Sequence, residues 1–484
     1  MTTQTKGLIR PDQRRAVVLL VTLVAAVWSI WVLEGARKGV SIDEITVGRT
    51  PVTVMQRDLE GPAVVVAHGF AGSRQMMQGY GLVLAQAGYR VYAFDFEGHG
   101  RHPVPMSGDV TKVEGTTRLL MDQTQQIMEA TRSGDEPVAL LGHSMATDVL
   151  VRVAKETQSV GPVVLVSAFS NEISENTPKD MLLITGNWEP GLSDFAERVT
   201  KDALPEARRA VLIAPAVEHV AILHSRAGRS AALEWINKFY NRTSVAAVPQ
   251  SGWALLVLLT AITLLFTPLA RFLPQTIWTT EPLRNWQFLT VVATPMIAAP
   301  LLAPLIDFRA LPVLVADYLA LHLMIFGAVQ IALLWRFRGA PAWPKPFAVL
   351  LLLVWTLGVF GFVLDRYGAN FWPIPERFVI IAALALGSVP FMLADSWFLR
   401  DAPLWQRFAA RIGFLASLAI AVALDFEGLF FVIMIAPVIV LFYLSFGVMG
   451  RVVAQRSGPS AAGVGLGLAL AWALGVSFPM FSAS

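Results

Sequence analysis

Apolar residues along this chain change their spacing near residue 250. Between about residues 40 and 245 they fall in short runs separated by segments of helical periodicity. Beyond about residue 253 they lengthen into runs of roughly 20, each long enough to cross a ~30 Å hydrocarbon layer. In the earlier region Ile45-Thr46-Val47 and Val52-Thr53-Val54-Met55, divided by Gly48-Arg49-Thr50-Pro51, predict a hairpin. The β-branched run Pro62-Ala63-Val64-Val65-Val66-Ala67 predicts a strand buried on both faces. Further strands are predicted at 89–96, 137–141, 163–167, 181–185 and 210–214. Helices are predicted at 76–87, 116–132, 145–156, 193–203 and 229–240. Strands alternating with helices predict an α/β, doubly wound, mostly parallel sheet, with functional groups at the C-terminal ends of its strands.

The long runs predict an all-α transmembrane bundle. They read as 253–270, 287–306, 313–335, 347–364, 378–398, 411–425, 428–449 and 460–481, with one more from Ala16 to about Leu33. That first run is long, rich in Val, Leu and Trp, and lacks a small-x-small cleavage site before Glu34-Gly35-Ala36-Arg37-Lys38, so it reads as a retained signal anchor. The expected division is therefore 1–38 (cytoplasmic N-terminus and anchor), 39–245 (the α/β domain) and 246–484 (a membrane domain of about eight spans).

Charge adds orientation. Lys6, Arg10, Arg14 and Arg15 precede the first span, and alternate later connections carry Arg271 and Arg284, Arg336, Arg338 and Lys345, Arg400, Arg407 and Arg411, and Arg451 and Arg456. The opposite connections hold only Arg309, Arg366 and Arg377. The positive-inside rule then puts the N-terminus in the cytoplasm and the α/β domain outside, in a bacterial cytoplasmic membrane on our reading. Asp317 and His322 fall within one span, where ionisable groups are costly and often functional; Asp307, Asp365, Asp425, Glu427 and Asp395 fall near span ends. The net charge of +3 over 484 residues gives no case for nucleic acid. With no cysteine, disulfides and Cys-based metal sites are excluded.

One pentapeptide carries candidate chemistry. Gly142-His143-Ser144-Met145-Ala146 stands between a predicted strand and a predicted helix. A sharp strand–turn–helix of the form Gly-x-Ser-x-small lifts the serine hydroxyl clear of both elements and leaves it near the positive end of the helix. Ser144 is the candidate nucleophile. Ala146 stands where a second glycine is usual.

The order of elements over about residues 43–243 resembles the α/β-hydrolase superfamily, most closely its dienelactone-hydrolase-like and serine-aminopeptidase-like esterases. His68-Gly69-Phe70 resembles the family's His-Gly oxyanion loop, and Asp95-Phe96-Glu97-Gly98-His99-Gly100 resembles its Asp-x-x-Gly-His-Gly phrase. The resemblance implies a Ser-His-acid triad. Glu189, in Gly186-Asn187-Trp188-Glu189, matches the acid position with Glu in place of Asp, and Asp194 is the runner-up. His219 resembles the terminal-loop histidine, with His224 as competitor. His68, His99, His102 and His143 read as structural, bonded to backbone. The oxyanion hole would use the amides of Phe70 and Met145.

Ala168 to Asp180 leaves no room for a helical lid. With tethers on both sides, the expectation is a membrane-anchored serine hydrolase cleaving an ester or thioester of an acylated or membrane-associated substrate. Its expected partners are an ester or lipid-like substrate and membrane lipids; no cofactor and no metal is expected. Two other readings stay open: a transporter or channel with a hydrolase-like regulatory domain, and an acyltransferase using the same triad.

Overall fold

The computed structural model describes residues 11–58, 60–107, 113–276, 282–306, 311–313 and 315–482. Lys6, Arg10, Asp307 and Arg309, which enter the charge pattern, lie outside the described residues.

A helix, α1 (Pro11–Arg37), leads directly into an eight-stranded sheet. Its strands are β1 (Ser41–Val47), β2 (Thr50–Gln56), β3 (Ala63–Ala67), β4 (Arg90–Phe94), β5 (Val138–His143), β6 (Val160–Val166), β7 (Asp180–Gly186) and β8 (Arg208–Ala214). They lie in the order β1-β2-β4-β3-β5-β6-β7-β8. β2 pairs antiparallel with β1 and β4, and every later pairing is parallel.

Both faces of this sheet are covered, which is why β3 and β5 read as unbroken apolar runs. Helices α2 (Gln78–Gln86) and α6 (Arg226–Phe239) bring Tyr80, Leu84, Trp235 and Ile236 to the face that shows Val64 and Val66. On the other face, which shows Val65, Leu140 and Leu165, lie Leu120, Met128, Val149 and Ala196. These come from α3 (Arg118–Thr131), α4 (Met145–Glu156) and α5 (Pro190–Lys201). Neighbouring valines of β3 thus serve opposite cores, as the two-residue period of a strand requires. Two helices start earlier than their apolar pattern indicates. α5 begins at Pro190, whose fixed φ suits a first turn. α6 begins at Arg226, behind a Ser225 hydroxyl that accepts the Gly228 amide at 3.2 Å.

After α6 the chain is helical: α7 (Ser251–Leu269), α8 (Asn285–Leu302), α9 (Ala316–Arg338), α10 (Pro346–Leu353), α11 (Gly361–Tyr367), α12 (Arg377–Leu399), α13 (Leu404–Leu424), α14 (Phe426–Leu429), α15 (Ile435–Ser457) and α16 (Pro459–Ser477). A wide turn of π type, Val354–Phe360, joins α10 to α11 as one long element. Among the described residues nine such helices, α1 included, are long and apolar enough to cross a membrane. α12 packs against α9 and α16. A Cβ on Gly463 or Gly467 of α16 would stand 2.4 or 2.5 Å from the Cα of Leu393 or Val389, so only glycine permits that approach.

Asp317 and His322 do different things. The Asp317 carboxylate, in the first turn of α9, accepts the Leu311 amide at 3.1–3.2 Å. His322 is buried between the Tyr318 hydroxyl and the Ser417 hydroxyl, each at 3.1 Å.

The sheet layer sits on the bundle through the loop that follows β4. Arg101 pairs with Asp365 at 2.7 Å and donates to Asn370 Oδ1 at 3.0 Å. Buried Arg377 donates to the carbonyls of Gly98, Gly475 and Phe478 at 3.1, 3.0 and 2.6 Å. The strand-like end of the chain adds Met480 N to Gly98 O and Met106 N to Met480 O, both 2.8 Å.

Candidate active site

Three side chains from separate loops meet above the C-terminal ends of the strands. Ser144 lies between β5 and α4 at φ 52° and ψ −119°, a conformation that costs a non-glycine residue roughly 1–3 kcal/mol. Surrounding bonds impose it: the Ser144 amide donates to Val166 O at 2.9 Å, and its carbonyl accepts the Thr147 amide at 2.8 Å. Ala146 is fully buried here. A Cβ on Gly142 would stand 2.6 Å from Leu150 Cδ1 and 3.2 Å from the Ala146 methyl. The alanine is therefore accommodated because the residue opposite it is glycine.

Ser144 Oγ is 2.8 Å from His219 Nε2, and His219 Nδ1 is 2.5 Å from Glu189 Oε1. The histidine comes from the loop after β8, and the carboxylate from the N-terminal boundary of α5. The two loops are stitched by the Trp188 amide, which donates to Val217 O at 3.2 Å. Glu189 is buried to 9% exposure, and its second oxygen accepts from the Gly186 amide at 2.9 Å and the Ser167 hydroxyl at 2.8 Å. Burial pushes the Glu189 carboxyl up, but the bonds from His219, Gly186 and Ser167 outweigh it and hold the group below its ordinary value. Asp194, the alternative acid, is exposed on α5. It is His219 that bonds the serine; the Nδ1 of His224, the alternative base, is buried with no hydrogen-bond partner among the described residues, and burial pushes its imidazole down to about 4.

Two further groups support the chain: Ser167, which the sequence reading did not assign, and His143, which it read as structural and bonded to backbone. Ser167, at φ 51° after β6, holds Glu189, and nothing in the local sequence marks it beyond its place at a strand end. His143 donates from Nε2 to the His219 carbonyl at 2.8 Å, fixing the backbone that carries the imidazole. Burial pushes His143 down to about 4, so it is neutral near pH 7 and its donor role is retained.

Phe70 lies beside the serine in the loop after β3. A Cβ on Gly69 would stand 2.9 Å from Ser144 Cβ, so glycine is what lets this loop close on the serine. Among the described residues the amides of Phe70 and Met145 donate to no protein acceptor. Buried His68 braces the loop, donating from Nδ1 to Gly69 O at 2.8 Å and accepting the Phe96 amide on Nε2 at 3.1 Å. Asp95 is fully buried and accepts Arg74 Nη1 at 2.6 Å, the Arg74 amide at 2.8 Å and the Arg101 amide at 3.0 Å. Desolvation raises its carboxyl, while Arg74 and the amides overcome this and leave it below its ordinary value. His99 donates to Glu97 O at 2.9 Å and His102 accepts the Val104 amide at 3.1 Å. Chemically, a hydroxyl bonded to an imidazole that is itself oriented by a carboxylate can be deprotonated as it attacks a carbonyl carbon.

This segment is an α/β-hydrolase domain, followed by the helices of membrane-span character. Residues 61–188 match the family model described as serine aminopeptidase, S33, so the match takes in Ser144 and stops one residue before Glu189. Solved structures similar to the chain include a dienelactone hydrolase from Anabaena variabilis, 18% identical, covering 41% of this chain and 97% of that one with a TM-score of 0.32. Another is a soluble variant of monoglyceride lipase from Saccharomyces cerevisiae, 12% identical, covering 42% and 96% with a TM-score of 0.33. A third is a membrane phospholipase A described as a bacterial virulence factor, 14% identical, covering 48% and 100% with a TM-score of 0.34. No curated protein matches the sequence.

Proposed function

We propose that the chain is a membrane-anchored serine hydrolase that cleaves a carboxylic ester or thioester of an acylated, membrane-associated substrate. The observation that carries this reading is the continuous relay from Ser144 Oγ through His219 to Glu189, at 2.8 and 2.5 Å. In this reading His219 Nε2 takes the Ser144 proton as Oγ bonds to the carbonyl carbon, and Glu189 holds the Nδ1–H tautomer and stabilises the imidazolium. The amides of Phe70 and Met145 receive the oxyanion; one such donor contributes roughly 3 kcal/mol to the transition state. Collapse expels the alcohol or thiol, which takes the proton from His219 Nε2. Water then attacks the acyl-enzyme, giving a proton to the same nitrogen; collapse breaks the bond from the acyl carbon to Oγ, releases the carboxylic acid and returns that proton from His219 Nε2 to Ser144 Oγ.

The proposal includes the division of the chain at residues 1–38, 39–245 and 246–484 and an extracytoplasmic hydrolase domain. Support for the orientation comes from Arg271, Arg284, Arg336, Arg338, Arg400, Arg407, Arg451 and Arg456. All lie within two turns of, or beyond, the helix ends remote from the hydrolase domain, the distribution that the positive-inside rule associates with the cytoplasmic side. In the intact chain, Ser144→Ala is expected to reduce ester hydrolysis by at least about a thousandfold. Full activity in that variant would remove the mechanism.

A further inference from the structure

The bundle reaches the proposed site at one aromatic contact. Between α13 and α15 the chain breaks into the short α14 and a 3₁₀ turn, Phe430–Met434. Here Phe426, Phe430, Ile433 and Met434 are exposed, while Phe431 is half-buried. The Phe431 ring packs on that of Phe70 with centroids 5.1 Å apart and planes 32° from parallel. Phe430 connects this pair to Phe426, with centroid distances of 5.8 Å to Phe431 and 5.5 Å to Phe426. Phe70 also meets His99 edge-on at 5.6 Å. An aromatic track thus runs from the end of a membrane-span helix to the residue whose amide faces the proposed oxyanion.

The hydrolase side of the site is also apolar and uncovered. Trp188, next to Glu189, is 64% exposed, and Val220, next to His219, is 49% exposed. Single exposed apolar residues are ordinary on a protein surface. These two flank the acid and the base, and no helix occurs between β6 and β7 to shield them. This rim stays open in the intact chain, and the bundle, docked through Arg101, Arg377 and Met480, adds Phe431 beside it at the loop that carries Phe70.

We propose that residues Phe426–Met434 of the bundle form the acyl-chain wall of the Ser144 site, so that the substrate is a long-chain acyl ester or thioester drawn from the lipid around the α13–α15 turn. This rests on the serine hydrolase reading. A short acyl group fits against the hydrolase domain alone. A long chain continues past Phe70 onto Phe431 and Phe430, where burial of its methylenes adds to binding. Loss of one ring removes contact with about two methylenes, which corresponds to about tenfold in kcat/KM.

The test uses the full chain in mixed micelles with p-nitrophenyl butyrate and p-nitrophenyl palmitate. For Phe431→Ala, kcat/KM on the palmitate should fall about tenfold while that on the butyrate stays within about twofold. Phe431→Leu should recover part of the palmitate rate. The exposed Phe430→Ala, which disturbs no core, should show the same selectivity more weakly. Equal losses on both esters, or an unchanged palmitate rate in both alanine variants with Ser144 still reactive to a fluorophosphonate, would overturn the wall. Failure of the unaltered chain to hydrolyse either ester is a different result: it removes the hydrolase reading and the wall with it.

Discussion

Glu189 is the side chain on which the site depends most locally. It sits at the boundary of α5 with one oxygen on His219 and the other on Gly186 and Ser167. Its amide analogue would put an NH₂ where the carboxylate now accepts, misorienting the imidazole. Glu189→Gln is therefore expected to lower kcat by about 10²- to 10⁴-fold, whereas Asp194→Asn, at an exposed position on α5, should stay within about twofold. Steady-state ester kinetics on the two variants checks this, and the reverse ranking would reassign the acid. Ser144 was legible because the elbow has a local signature, and His219 because few histidines follow the last strand. Glu189 was harder, since a carboxylate three residues past a glycine competes with another five positions on. Its advantage is a geometric one: it enters at the helix boundary, buried, while Asp194 points to solvent. Ser167 was illegible, because its role depends on β6 and β7 lying side by side.

The loops after β3 and β4 and the last residue of β5 share a device, a buried neutral histidine bonded to backbone. Burial holds His99 at about 3, and His102 and His143 at about 4. Each returns to about 6.5 when the chain unfolds, so the unfolded state takes up protons first as pH falls. Stability present above about pH 6.5 is lost progressively toward pH 4, by on the order of 2 kcal/mol per histidine at pH 5. Thermal melts of the detergent-solubilised chain should show the α/β layer melting well below its pH 7 temperature at pH 5. An unchanged melting temperature across that interval would mean these imidazoles are solvated. The strands themselves were legible, because apolar runs such as Val64-Val65-Val66 have few other uses. Helix starts were less so: caps and prolines at Ser225 and Pro190 lie outside the apolar period. The start of the break was legible in Asp425 and Glu427, which separate two predicted spans, but the turn at Phe430–Met434 was not, since its residues are as apolar as the span that follows.

Across the whole molecule, the hydrolase domain and the bundle are tied together by groups that sequence alone assigned to other purposes. Arg366 and Arg377 are two of the three exceptions to the charge alternation; the third, Arg309, lies outside the described residues. Arg366 pairs with Glu34 at the end of α1, and Arg377 reaches across to Gly98. Arg377 thus touches the α/β domain, whereas the Arg366 side chain is held by the anchor helix and only its carbonyl meets the domain, accepting from Gln78 Nε2 at 3.1 Å. Hydropathy could divide the chain near residue 250, but it could not show which surfaces dock, because that depends on loops far apart in sequence. With Asp365 on Arg101 and Met480 against Gly98 and Met106, the bundle holds the loop that backs His68 and Phe70. The central claim is that Ser144 is an activated nucleophile held in this assembly. Its most direct test is treatment of membranes bearing the intact chain with a fluorophosphonate, followed by peptide mapping of the adduct. The adduct is expected on Ser144, lost in Ser144→Ala and strongly slowed in His219→Ala. A folded chain in which Ser144 stays unlabelled, or in which His219→Ala labels as fast as the unaltered protein, would contradict the account.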